Sequence, residues 1–223
     1  MPTFKMLRRH IGGATRWGCI TILLTVIGPL TVDASQQNSE QSATEAVRST
    51  ITSLMQVLDD DTLKRPEEAD ARRHEIEEII RHRVDYEEMA KRALGAPWPT
   101  LSARERQEFV SLFVQLLRDT FVGRITEHRD EQVAFLGEHR EEPYAEVNTQ
   151  LRGRKIDTLI DFRLINRAAE WQVYDVVIDG ASIVSNYRAQ FASIIREISY
   201  VGLVKRMKQK AIAVKVFEKL SAP

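Results

Sequence analysis

Residues 171–191, WQVYDVVIDGASIVSNYRAQF, leave this chain few ways to fold. Trp171, Val173, Tyr174, Val176, Val177 and Ile178 are β-branched or aromatic, at the density of a strand. Asp179-Gly180 then supplies turn residues. Ser182 is placed to cap a helix in which Ile183, Tyr187, Phe191, Ile194, Ile195 and Ile198 recur at helical spacing. One strand therefore feeds one helix, and both carry a large apolar face.

Upstream of this unit the period is helical. Ser42-Ala-Thr-Glu45 has the form of a capping box, and Ala43, Ala46, Val47, Thr50, Ile51, Leu54, Met55 and Leu58 trace one helix face. Asp59-Asp60-Asp61 ends it as a solvated turn, since no calcium-loop pattern follows. Pro66-Glu67-Glu68 suits the first turn of a second helix, which carries Ile76, Ile79 and Ile80 inward. Asp85 opens a short third helix with Tyr86, Met89, Ala90 and Leu94, closed by Gly95. Pro97-Trp98-Pro99 is a stiff connector. Ser102-Ala-Arg-Glu105 then opens the longest helix, with Phe109, Leu112, Phe113, Leu116, Leu117 and Phe121 on a broad apolar face.

After about Arg129 the period shortens to near 2. Val133–Leu136, Tyr144–Leu151, Ile156–Ile165 and Trp171–Ile178 read as four strands, and their short links imply an antiparallel meander. In the third strand Ile156, Thr158, Ile160, Phe162 and Leu164 share one face, while Asp157, Asp161 and Arg163 share the other with Leu159 and Ile165. That pattern suits a sheet with helices on one side. Beyond the signature helix, Gly202 is expected to break the run before a basic amphipathic helix carrying Leu203, Val204, Met207, Ala211 and Val214.

The first 34 residues read as a targeting segment. Lys5, Arg8, Arg9 and Arg16 precede a short apolar run from Ile20 to Leu30, and Val32-Asp33-Ala34 offers a cleavage site after Ala34. Gly28-Pro29 and Asp33 cut that run short of the roughly 18 apolar residues a membrane anchor needs. Residues 35–42 form a polar leader. Cys19 leaves with the peptide, so the mature chain has no thiol for disulfides or catalysis. Cleavage turns a balance of 32 basic and 32 acidic residues into a net charge of about −3, which is no footprint for nucleic acid.

Little in the chain points to catalysis. It has no glycine-rich phosphate loop, no G-x-S-x-G and no H-E-x-x-H, and His74, His82, His128 and His139 lack metal-ligand spacing. One enzymatic reading takes Asp157 or Asp161 as a base, with Tyr144 or Tyr174 as an oxyanion donor inside a cone of bent sheet and helices. The alternative is that these aspartates alternate outward and pair with Arg154 or Arg163. The aromatic faces fit a closed core from pattern alone; a cavity between them is not something periodicity reveals.

The strand–turn–helix unit closely resembles the signature of the MlaC family, also called the toluene-tolerance family, which reads roughly W-x-V-Y-D-V-x-I-D-G-x-S-x-V-x-N-Y-R-x-Q-F. Trp171, Val173, Tyr174, Asp175, Val176, Ile178, Asp179, Gly180, Ser182, Val184, Asn186, Tyr187, Arg188, Gln190 and Phe191 match it. Asp85-Tyr86, Met89-Ala90, Leu94-Gly95, Trp98, Gln107, Phe109, Phe113, Leu116-Leu117 and Thr120 look like its helical half, and Gly202-Leu203-Val204 with Lys210 like its C-terminal helix. The likeness spans roughly residues 43–213, leaving 214–223 as a tail. Ala181 and Ile183 are mild departures.

The resemblance implies a helix-rich α+β fold with a twisted four-stranded antiparallel sheet, related to the nuclear-transport-factor-two-like cone. It also implies an apolar cavity between sheet and helices that holds phospholipid tails. Family members are periplasmic carriers and not enzymes. They move lipid between an outer-membrane lipoprotein–porin complex and an inner-membrane ABC transporter complex with its membrane-anchored substrate-binding subunit, and so maintain outer-membrane asymmetry. Phospholipid is then cargo, and no cofactor is implied. Related members occur near hopanoid-synthesis genes, which makes a polycyclic lipid the alternative cargo. As apolar residues on facing elements, Phe113, Leu117, Phe121, Ile160, Phe162, Val173, Val176, Tyr187 and Phe191 are the candidates for the cavity wall. Asn186 and Arg188, beside the turn, are candidates for a head group, a partner or a structural hydrogen bond.

Overall fold

A computed structural model describes residues 42–125, 132–153 and 156–210. The targeting segment, residues 35–41 of the leader, Arg154, Ala211, Val214 and the tail lie outside the described residues.

Except for the second, which follows a 3₁₀ turn without a side-chain cap, the helices begin where the chain supplies one. Ser42 Oγ accepts the Glu45 amide at 3.1 Å and opens α1 (Ala43–Asp59). Asp60 Oδ1 accepts the amides of Thr62 and Leu63 at 2.7 and 3.1 Å, so the acidic run after α1 is a hydrogen-bonded turn. Pro66–Glu68 form a 3₁₀ turn leading into α2 (Ala69–Arg83). Asp85 caps α3 (Tyr86–Leu94) through the Glu88 amide at 2.9 Å, and Gly95 ends it at φ +71°. At α4 (Ala103–Ile125) the box is complete: the Ser102 amide donates to Glu105 Oε2 at 2.8 Å, and the Glu105 amide donates to Ser102 Oγ at 3.3 Å.

The sheet is an antiparallel meander in chain order, β1 (Gln132–Glu141), β2 (Tyr144–Arg152), β3 (Asp157–Arg167) and β4 (Glu170–Ile178). A fifth strand of two residues, β5 (Ala181–Ser182), pairs with the end of β4. β1 runs five residues past its expected end at Leu136. An irregularity between Phe135 and Gly137 lets pairing with β2 resume, and an edge strand tolerates the charges from Glu138 to Glu141.

A second irregularity matters more. Arg163 faces Asp175, yet the next residue of β3, Leu164, faces Val173, so Tyr174 is an extra residue in β4. Strict alternation would send Val173 and Val176 to opposite faces. The bulge returns both to the face that the helices cover.

Asp175, just after the bulge, is buried and locks β4 to α5 (Ile183–Lys208). Its Oδ2 accepts the Ser182 hydroxyl at 2.6 Å and Arg163 Nη1 at 3.3 Å, and its Oδ1 accepts the Val184 amide at 3.0 Å. Ser182 also caps α5 through the Ser185 amide, at 3.0 Å.

The break in α5 is at Ser199 (φ 72°, ψ 171°) and not at Gly202. With that break, α4 is the longest uninterrupted helix. Gly202 stays helical, and the position is tight: a Cβ there would lie 2.7 Å from Ile198 Cγ1 and 2.9 Å from Ile198 Cβ. We therefore expect Gly202→Ala to destabilise the fold by roughly 1–3 kcal/mol through overpacking, against the ~1 kcal/mol that helix propensity favours. Ser199→Gly is expected to stabilise it by about 1 kcal/mol by relieving a backbone region native to glycine. Urea unfolding of the two variants checks both signs; a stabilised Gly202→Ala would contradict the close approach.

Among the described residues, three apolar clusters form rather than one. The first joins α3, α4 and α5 through Met89, Phe109, Phe113, Tyr187, Phe191 and Leu203. The second seats α1 on the sheet through Val47, Val147, Leu164, Trp171 and Val173. The third is Leu58 of α1 on Ile76 of α2. Val84 and Val176 pack against both of the first two. The Asp85 amide donates to the Val173 carbonyl at 2.9 Å, so the chain leaving α2 covers part of the exposed edge of β4.

A charged network ties α3 to the sheet. Glu88, buried, meets Arg92 at 2.7 Å, Lys91 at 3.1 Å and Arg167 at 3.1 Å. Burial raises the Glu88 carboxyl, but hydrogen bonds from Arg92 and Lys91 outweigh it and hold the group below its ordinary 4.5. The unfolded chain therefore binds this proton first. Its contribution is complete above about pH 4.5 and is lost as pH falls through the lower folded value. Glu88→Gln is expected to cost roughly 1–3 kcal/mol at pH 7. It should also flatten the acid limb of a stability–pH curve, and an unchanged limb would contradict the role.

Candidate functional site

Where the three clusters meet, their side chains do not close on one another. They leave a cavity of about 360 Å³ between the sheet on one side and α1, α2 and α4 on the other. Its wall is almost wholly aliphatic and aromatic, which is the lining of a site for an apolar ligand.

Six of the nine candidate residues stand on this wall: Leu117 and Phe121 of α4, Ile160 and Phe162 of β3, and Val173 and Val176 of β4. The structure places Phe113, Tyr187 and Phe191 elsewhere. All three are fully buried in the α3–α4–α5 cluster, with the Phe113 ring 5.2 Å from Tyr187 and 6.1 Å from Phe191. Phe113 meets both other rings edge to face, Tyr187 is tilted 34° from Phe191, and none of the three lines the cavity. Burial pushes the Tyr187 phenol up to about 12, so it is protonated throughout the neutral range.

The wall also contains residues not singled out from the sequence. Val47, Ile51 and Leu54 come from α1, Ile80 and Val84 from the end of α2, Met89 from α3, and Ile178 and Ile183 from the strand–turn–helix unit. The apolar stripe of α1 was the available signal.

Charge enters at one part of the wall. Glu77, Arg81, Arg83 and Arg118 all line the cavity. Arg118 Nη2 meets Glu77 Oε2 at 2.6 Å, joining α4 to α2. Arg81 Nη2 meets Glu78 Oε1 at 2.7 Å. Arg83 donates from Nε to Thr50 Oγ1 at 3.0 Å and from Nη1 to the Trp171 carbonyl at 2.7 Å. Burial pulls the Arg83 guanidinium below the usual arginine value, with Glu170 opposing the shift. Burial likewise raises the Tyr86 phenol.

The Asp and Tyr residues of the enzymatic reading are not brought to this cavity. Ile160 and Phe162 line it, so alternation turns Asp161 to the opposite face, where Asn148 Nδ2 donates to it at 2.9 Å. Asp157 is exposed and accepts from Gln150 at 3.1 Å. Tyr144 and Tyr174 stack edge to face at 5.8 Å, and the Arg92 guanidinium lies 4.1 Å from the Tyr174 ring. Arg188 is structural: its Nε donates to the Arg92 carbonyl at 2.6 Å and fastens α5 to the end of α3. Asn186 accepts from Gln190 within the same helix, at 2.5 Å.

Comparison with known proteins bears on this geometry. Residues 48–209 match the family model described as MlaC protein. A curated relative from Haemophilus influenzae, the "intermembrane phospholipid transport system binding protein MlaC", is 21% identical over 134 residues, or 57% of this chain. The alignment spans 63% of that relative's length. A solved phospholipid-binding protein from Ralstonia solanacearum, in complex with a phospholipid, superposes with a TM-score of 0.67 at 20% identity. That superposition covers 76% of this chain and 96% of the other, which establishes a common fold. With a family model spanning most of its length and an α+β fold shared with a solved structure, the chain belongs to the MlaC family.

Proposed function

We propose that this protein is a periplasmic phospholipid carrier that holds acyl chains in the cavity between its sheet and helices. The observation that carries this reading is the cavity itself, an aliphatic space of about 360 Å³ at the junction of three separately packed cores. The Haemophilus relative's role in intermembrane phospholipid transport and the phospholipid bound by the Ralstonia protein support it. In this reading the first 34 residues direct export and are cleaved. The mature protein takes lipid at an outer-membrane lipoprotein–porin complex and exchanges it with an inner-membrane ABC transporter complex, or the reverse. Such exchange would maintain outer-membrane asymmetry and solvent tolerance.

The energetics favour a carrier of this kind. At about 0.8 kcal/mol per buried methylene, two acyl chains of ~30 methylenes prefer an apolar site to water by ~24 kcal/mol. A bare lipid does not cross an aqueous compartment at a useful rate against that term. A dry cavity replaces most of it, so exchange at either membrane is nearly balanced, and the partners supply direction. No group on the protein has to do chemistry.

Delipidated mature protein mixed with vesicles containing a fluorescent phospholipid tests the proposal. The expected result is saturable extraction of lipid into a soluble, monodisperse complex. Lipid that remains with the vesicles at all protein concentrations would overturn it.

A further inference from the structure

Three arginines, Arg81, Arg83 and Arg118, and one glutamate, Glu77, are among the residues that line the cavity. Glu77 neutralises Arg118, and Arg81 reaches Glu78. Arg83 differs from both. Among the described residues no carboxylate lies within ion-pairing distance of it, and its two hydrogen bonds go to neutral oxygens, the Thr50 hydroxyl and the Trp171 carbonyl. Those bonds come from Nε and Nη1, so they fix the plane of the guanidinium. A half-buried cation against an aliphatic wall carries a desolvation cost that neutral acceptors offset only in part. A charge-assisted bond to an oxyanion offsets it far better, and a fixed guanidinium plane is the geometry that recognises one.

We propose that Arg83, with Arg81 beside it on the same helix, is an oxyanion subsite for the phosphate of a lipid whose tails fill the cavity. This rests on the carrier reading above. It adds that the cargo must carry an anionic group at one end of its apolar body. The head-group alcohol beyond the phosphate can vary, whereas an uncharged polycyclic lipid leaves Arg83 with only the charge of Glu170, which forms no ion pair with it. Glu77 does not compete for Arg83, because Arg118 holds it on α2's other neighbour, α4.

The test compares two probes with the same tails. Delipidated protein is titrated with dioleoyl phosphatidylethanolamine and with dioleoylglycerol, each competing against a fluorescent fatty acyl reporter. The expected preference for the phospholipid is about tenfold or more. Arg83→Gln should reduce that ratio to about twofold, and Arg83→Lys, which keeps the charge but not the fork, should restore part of it. Inorganic phosphate alone, at millimolar concentration, should leave reporter and lipid in place; phosphate that competed without a lipid body would make this a free-oxyanion site and overturn the assignment to cargo. Arg83 also holds Thr50 and Trp171; if Arg83→Gln does not fold, the parent protein's ratio decides. Equal affinity of the parent for both probes would overturn the subsite and leave the carrier intact. Failure to bind either probe would overturn the carrier reading itself.

Discussion

Replacing Leu117 and Ile160 together by tryptophan is expected to lower phospholipid uptake by at least about tenfold and to leave the protein folded. Leu117 reaches the cavity from α4 and Ile160 from β3, so the new rings enter from two sides. In a closed core such enlargement costs roughly 1–3 kcal/mol per site through strain. Here the added volume enters space that protein atoms do not fill, so the cost falls mainly on the ligand. Uptake from labelled vesicles, read beside a urea melt, separates the two effects. A folded double variant with unchanged uptake would remove these residues from the lipid site. A double variant that fails to fold would contradict the existence of the space.

Phe191→Ala has the converse signature. Its ring is fully buried and contacts Phe109, Phe113 and Tyr187 at centroid distances of 5.7, 6.1 and 5.5 Å. Truncation therefore costs about 3–5 kcal/mol of unfolding free energy. Ile160→Ala, on the wall of an existing cavity, is expected to cost less than half of that, because fewer neighbours lose contact. The two values come from urea unfolding of each variant. A Phe191→Ala loss below about 1 kcal/mol, with uptake abolished, would return Phe191 to the site.

The contrast between these residues marks how far the sequence could be read. The strand, turn and helix of residues 171–191 were legible because β-branched density, Asp-Gly and a serine cap all agree, and Ser182 does cap α5. Helix starts at Ser42, Asp85 and Ser102 were legible for the same reason. Faces were legible where the period is unbroken: Ile160, Phe162 and Leu164 do share one side of β3. On β4 the period is interrupted at Tyr174, and no residue type announces that bulge. Phe113 and Leu117 sit one turn apart on α4 and are buried in the same cluster, yet only Leu117 also reaches the cavity wall. Periodicity places both on the apolar face and is blind to what stands opposite. Gly202 misled for a related reason. A glycine in a helical pattern reads as a break, but here it permits close approach to Ile198 while Ser199 takes the strained backbone.

The family was legible mainly through the signature, and the proposed carrier role calls for no reacting group that a motif would announce. The charged residues at the cavity were the hardest to see. Glu77, Arg81 and Arg83 fall in a strongly charged helix, where each looks like part of a solvated face. Only the fold shows that they share a wall with Val173 and Leu117.

The most direct measurement is native mass spectrometry with organic extraction, on mature protein purified without detergent. The account predicts one diacyl phospholipid per chain, lost on denaturation and regained from vesicles. A protein that is free of lipid after purification and takes none from vesicles would contradict it.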